Sequence, residues 1–176
     1  MLVNLSDVLT TEGKVMAKEV VLEAESFVNG MGTFAIAEKS PVSFTFTNIG
    51  VYKARVEGSC KLVFQATCDR CLTNVPVELN LSFDRTVVSP EADTEDEDAD
   101  ADTRSCMDGY QFDVEAFVYD EIIVNWPMKI LCREDCKGVC PVCGQNRNER
   151  ECGCDTFVPD PRMAAIKDIF NANKEV

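Results

Sequence analysis

The sequence predicts an α+β protein whose N-terminal half is antiparallel β-sheet, and three observations carry that expectation. Apolar residues recur with period two through residues 1–90, a run of acids interrupts the chain from Glu91 to Asp102, and six of the ten cysteines fall between Cys132 and Cys154. Together they divide the chain into a β-rich domain at 1–90, an acidic linker at 91–108, and a C-terminal part at 109–176. That last part combines a helix, a zinc-binding cysteine cluster and a closing helix.

Each element follows from local pattern. Val15–Leu22 suits an N-terminal strand, although its Ala, Lys and Glu would also suit a helix. Phe44 and Phe46 share one face of the next strand. Val51–Val56 and Cys60–Thr67 predict two more, joined by a turn at Glu57-Gly58-Ser59. In the last strand Val75, Val77, Leu79, Leu81 and Phe83 alternate with Glu78, Asn80, Ser82 and Asp84, the signature of a sheet with one wet face. Beyond the acids, Val114, Phe117, Val118, Glu121, Ile122 and Val124 keep helical spacing behind an Asp113 N-cap, and Trp126-Pro127 ends the helix. A closing helix starts at Asp160-Pro161 and carries Met163, Ile166, Ile169 and Phe170 as an apolar stripe to Asn171.

Composition bounds the function. There are 17 Lys and Arg against 31 Asp and Glu with no histidine, a net charge of −14. The stretch EADTEDEDADAD holds eight of the acids, leaving −14 + 8 = −6 for the remainder. Dense like charge with little hydrophobicity predicts a solvated, disordered spacer there. Without histidine, His-based triads and His metal sites are excluded, and no Gly-rich phosphate loop is present. The acids of the linker have nothing to fix their geometry, so no enzymatic activity and no small-molecule substrate are expected. No basic region leads into an apolar core at the start, and no run of about 18 apolar residues occurs, so a cytoplasmic protein without membrane association is expected.

The cysteines point to metal. A Cys-x-x-Cys-Gly turn, here Cys140-Pro141-Val142-Cys143-Gly144, aims two thiolates at one point, and Cys152-Gly153-Cys154 can complete a tetrahedron. Local closure costs the least chain entropy, which selects Cys140, Cys143, Cys152 and Cys154 as ligands of a structural zinc. Cys132 and Cys136 stand as alternates. They could instead meet Cys68 and Cys71, from Cys68-Asp69-Arg70-Cys71-Leu72, in a second site that staples the two halves. Disulfides and a redox pair compete for these thiols. A reducing compartment disfavours the first, and a β-turn setting without a helix N-terminus disfavours the second.

The order of these motifs resembles one family. Cys68-Asp69-Arg70-Cys71-Leu72, an acidic linker, Asn125-Trp126-Pro127, the stretch from Cys132 to Asn146, Cys152-Gly153-Cys154 and Asp160-Pro161-Arg162 are similar to the large ribosomal RNA subunit accumulation (YceD) family. The resemblance implies a bacterial, non-enzymatic protein that supports 23S rRNA accumulation and large-subunit assembly, with the cysteine-rich tail as a zinc module. The family usually has Asn-Leu-Asn after the glycine, whereas this chain has Asn146-Arg147-Asn148, which places a base where an apolar residue is common.

An acidic protein acting on RNA needs its cations locally, because Lys and Arg supply phosphate affinity. From Lys129 onward eight bases balance eight acids. Lys137, Arg147 and Arg150, on loops held by the metal, are the expected contacts to rRNA or a large-subunit precursor. The same bases would also serve solubility alone. A protein-binding module, holding a basic ribosomal protein through the acidic linker, is the competing expectation.

Overall fold

The computed structural model describes residues 1–90 and 106–154. The acidic run Glu91–Asp102 and the helix expected over Asp160–Asn171 lie outside those residues. The chain forms two compact units, and the division does not follow the linear order of the sequence. One unit holds Met1–Thr67 and Asn74–Ile130; the other holds Cys68–Thr73 and the chain from Leu131 onward.

The first unit is built from β1 (Leu2–Asn4), α1 (Ser6–Thr10), β2 (Val15–Val20), β3 (Ser26–Asn29), β4 (Gly32–Lys39) and β5 (Val42–Gly50). It continues with β6 (Lys53–Thr67), β7 (Asn74–Val88), β8 (Met107–Asp108), β9 (Gln111–Asp113) and α2 (Val114–Asn125). A small sheet runs β1-β9-β8, and the main sheet is organised around β6. Along one edge β6 pairs with β7 over its whole length, from Lys53↔Val88 to Thr67↔Asn74. Its other edge is shared: β5 takes Lys53–Ser59 and β4 takes Leu62–Gln65. The break between β4 and β5 falls at Ser40-Pro41, where proline lacks an amide. There the Ser40 hydroxyl accepts from the Lys61 amide at 2.8 Å, and the Ser40 amide donates to the Lys61 carbonyl at 2.9 Å, so the ladder stays satisfied through the break.

Val15–Val20 is a strand rather than a helix, paired antiparallel with β5. The turn expected at Glu57-Gly58-Ser59 is absent, and the two strands expected around it are one strand of 15 residues. Gly58 is there for space. A Cβ at that position would lie 2.0 Å from the Ser43 carbonyl oxygen and 2.7 Å from the Phe83 ring. The chain instead turns at Val51-Tyr52, where Tyr52 takes φ 59°.

The alternation in β7 is realised: Leu79, Leu81 and Phe83 are buried while Glu78, Asn80, Ser82 and Asp84 face solvent. Phe44, Phe46, Phe83, Phe112 and Phe117 pack as a cluster of rings, with centroids 5.0 Å apart for Phe83 and Phe117. Trp126 packs with Phe27, Phe34 and Phe64. Asp113 caps α2 by accepting from the amides of Glu115 and Ala116 at 3.0 and 3.3 Å. The helix buries Val114, Phe117, Val118, Glu121 and Ile122. Val124, expected on the same stripe, is exposed: it falls within about 20° of buried Phe117 around the helix but two turns further on, in the last turn before the Trp126 C-cap. Buried Glu121 is paired with Arg85 of β7 at 2.7 Å, which compensates the charge. Among the described residues no helix is long and apolar enough to cross a membrane.

Candidate metal centre

The second unit brings eight thiols into two groups of four. Cys68, Cys71, Cys132 and Cys136 form one, Cys140, Cys143, Cys152 and Cys154 the other, and within each group the sulfurs lie within 4.8 Å of one another. The local-closure ligand set is therefore assembled as one group. Cys132 and Cys136 stand with Cys68 and Cys71, not with the later cysteines.

The spacing of the sulfurs distinguishes metal ligation from disulfide chemistry. Cys68 and Cys136 are 3.8 Å apart at sulfur, and Cys71 and Cys132 are 3.5 Å apart. A disulfide needs about 2.0 Å. A tetrahedron with metal–sulfur bonds of about 2.3 Å has edges of about 3.8 Å. The donor set and its span fit a tetrahedral thiolate site in both groups.

Two turns of the same design supply half of the ligands. In Cys68–Leu72 the Leu72 amide donates to the Cys68 carbonyl at 2.9 Å, and in Cys140–Gly144 the Gly144 amide donates to the Cys140 carbonyl at 2.8 Å. This folding leaves the amides between the cysteines facing sulfur. The amides of Cys143 and Val142 bring the Cys140 thiol down to about 6. Burial pushes Cys68 up, but the amides of Arg70, Cys132 and Cys71 outweigh it and bring that thiol to about 6 as well. The hydroxyl and then the amide of Thr73 hold Cys71 below its ordinary value. One later member of each group behaves oppositely. Cys71, followed by burial, pushes Cys132 up to about 12, and Cys143 and Cys152 push Cys154 up to about 12. Each group thus pairs a ready thiolate with a thiol that keeps its proton until a cation displaces it.

The first group joins segments more than 60 residues apart in sequence, and specific contacts within the unit hold them together. The Val139 amide donates to the Arg70 carbonyl at 2.9 Å, and Arg70 Nη1 donates to the Cys136 carbonyl at 3.0 Å. Gly138, with φ 74°, makes this approach possible, since a Cβ there would lie 2.9 Å from the Arg70 oxygen. The second group is framed by a short hairpin, with a Val139↔Asn146 bridge and the Cys140 amide donating to the Gln145 carbonyl at 2.8 Å. Asn148 donates from Nδ2 to Cys136 Sγ at 3.3 Å.

Sequence reasoning missed Arg70, Gly138 and Asn148. Their signal was present as a charged residue inside a Cys-x-x-Cys, a glycine two residues after a ligand, and amide side chains between cysteine pairs. Of the bases expected to meet RNA, Lys137 pairs loosely with Glu151 at 3.7 Å, and both residues are exposed. Arg147 and Arg150 are exposed and make no ion pair among the described residues.

A model of the large ribosomal RNA subunit accumulation protein family, YceD, matches residues 56–170, from within β6 through both cysteine groups. The chain belongs to the YceD family. This YceD-family chain is 30% identical over 108 residues to uncharacterized proteins of Mycobacterium tuberculosis and Mycobacterium bovis. The alignment covers 61% of the chain and 51% of each relative, so the chain spans about half the length of the curated relatives it matches. No solved structure matches.

Proposed function

We propose that this YceD-family protein is a non-catalytic cytoplasmic factor supporting 23S rRNA accumulation and large-subunit assembly. Two structural zinc sites would hold a rigid surface that meets rRNA or a precursor particle. The observation that carries this reading is the pair of four-thiol groups in one unit of a chain whose family is named for large-subunit rRNA accumulation. Zinc bound by four thiolates is a closed site that supplies folding energy and leaves no open position for substrate. Each filled site is formally +2 − 4 = −2, so phosphate contact must come from Lys137, Arg147 and Arg150 on the surrounding loops.

Sedimentation of lysates on low-salt sucrose tests the reading. Wild-type protein is expected with large-subunit precursors, and the Arg147→Glu, Arg150→Glu double variant is expected to leave them. A double variant that sediments unchanged sinks the RNA-contact assignment. Composition favours one competing reading, because eight acids in twelve residues from Glu91 to Asp102 suit a basic ribosomal protein. Deleting Glu91–Asp102 abolishes association under that reading and spares it under the first.

A further inference from the structure

The side chain of Asn148 connects the two cysteine groups. It lies between Cys143 and Cys152, inside the loop that the second group closes, yet all but one of its hydrogen-bond partners lie outside that loop. Oδ1 accepts from the Lys137 amide at 2.8 Å and from Arg133 Nη2 at 2.8 Å. Nδ2 donates to Asn146 Oδ1 at 2.9 Å and to Cys136 Sγ, a member of the first group, at 3.3 Å. Two donors and two acceptor positions are all an amide side chain has, and every one is used. The partners also fix its orientation, since the flipped amide would set an oxygen against sulfur and an NH2 against the Lys137 amide.

The position of Asn148 depends on the loop that carries it. The Arg147 amide donates to the Gly138 carbonyl at 2.9 Å, and the amides of Glu149 and Arg150 donate to the Asn146 carbonyl at 3.2 and 3.3 Å. Those bonds and the Val139↔Asn146 bridge anchor the start of the loop, while its far end meets the hairpin where Cys152 and Cys154 converge with Cys140 and Cys143. A cation on the four sulfurs would fix that far end, so the loop that carries Asn148 is most firmly ordered when the second group is occupied.

We infer that the two cysteine groups load metal cooperatively, with Asn148 as the positioning residue through which filling of the second group raises the affinity of the first. The inference rests on the reading of both groups as metal sites. An N–H donor to a ligating sulfur stabilises the thiolate without touching the cation, and loss of such an outer partner costs about 10–100-fold in metal affinity. Coupling of this kind is reciprocal, so filling the first group must raise the affinity of the second by the same factor.

Zinc competition titration of the full chain against a chromophoric chelator measures both steps. Cadmium-113 NMR assigns each step by its disappearance in Cys→Ser variants. Asn148→Asp keeps all eight thiols and the acceptor oxygen but removes the donor, and is expected to weaken the first group by about 10–100-fold. Cys140→Ser is expected to weaken the first group by a similar factor, and the double variant by no more than either alone, since both remove one interaction. Cys68→Ser is expected to weaken the second group correspondingly. Additive losses, or a first group indifferent to Cys140→Ser, would overturn the coupling while leaving two metal sites intact. A wild-type chain that binds no zinc overturns both the coupling and the reading beneath it.

Discussion

Leu72 and Gly144 occupy the same position in two separate cysteine turns. Each takes a left-handed backbone, φ 60° and 74°, and each donates its amide to the carbonyl of the cysteine four residues before it. The second turn follows the glycine preference of that conformation and the first does not. Leu72 is exposed, so no burial of its side chain offsets the steric cost of about 1–2 kcal/mol that the left-handed region imposes on an L-residue.

Substitution at the two positions should therefore have opposite results. Leu72→Gly relieves the strain but gives back about 0.5–1 kcal/mol in chain entropy, and is expected to leave metal retention by the first group equal or slightly improved. Gly144→Val should weaken the second group by about 1–2 kcal/mol, some tenfold. Chelator challenge of each purified variant measures both, and a Leu72→Gly protein that loses metal faster than wild type contradicts the equivalence.

Metal analysis should find two zincs per chain, falling to one when Cys68 and Cys71 are both changed to serine. A single zinc unaffected by that change would eliminate the first group as a site. Removing metal should unfold the second unit while sparing the sheet, because structural zinc supplies about 10–16 kcal/mol to small modules and the sheet has its own core. Trp126 reports on this, being the chain's single tryptophan and packed against Phe27, Phe34 and Phe64. Its emission should not change on chelation, whereas backbone amide signals from 131–154 should collapse.

Metal binding should release protons. At pH 7.5 Cys68 and Cys140, brought to about 6, are already thiolates, while Cys132 and Cys154, pushed to about 12, are protonated. Each group then expels at least one proton on binding, so affinity rises with pH throughout, and it drops more steeply below about pH 6, where Cys68 and Cys140 also take up protons. Calorimetry in two buffers of different ionisation enthalpy counts the protons. Fewer than one per metal at pH 7.5 would contradict this ionisation pattern.

Gly58→Val should destabilise the first unit by at least about 1–3 kcal/mol, through overpacking against the Ser43 carbonyl and the Phe83 ring. Thermal unfolding followed at Trp126 measures the loss, and zinc stoichiometry should stay the same. A variant that melts like wild type would mean Gly58 has room that its surroundings do not show.

Much was legible because it is local. Period-two burial in β7, the Asp113 cap and the Trp126-Pro127 stop each depend on neighbours within a few residues, and so does the closed set Cys140, Cys143, Cys152 and Cys154. The same locality misled at Gly58, since a glycine in a turn and a glycine under a ring look alike in sequence. The β3–β4 hairpin went unread for a related reason: Phe34 and Ile36 are only partly buried, and the short strands carry little alternation.

The residues alone determined that the N-terminal half is sheet, that α2 begins at its cap, and that the later cysteines converge, because spacing along the chain sets those outcomes. Tertiary structure decided the rest. Cys68 and Cys71 reach Cys132 and Cys136 through hydrogen bonds between Arg70 and Val139 and between Arg70 and Cys136, and through the absence of a Cβ at Gly138. Asn148 reaches Cys136 across the same unit. Partners separated by tens of residues are chosen by complementary donors, acceptors and space, which become defined only once the chain has folded.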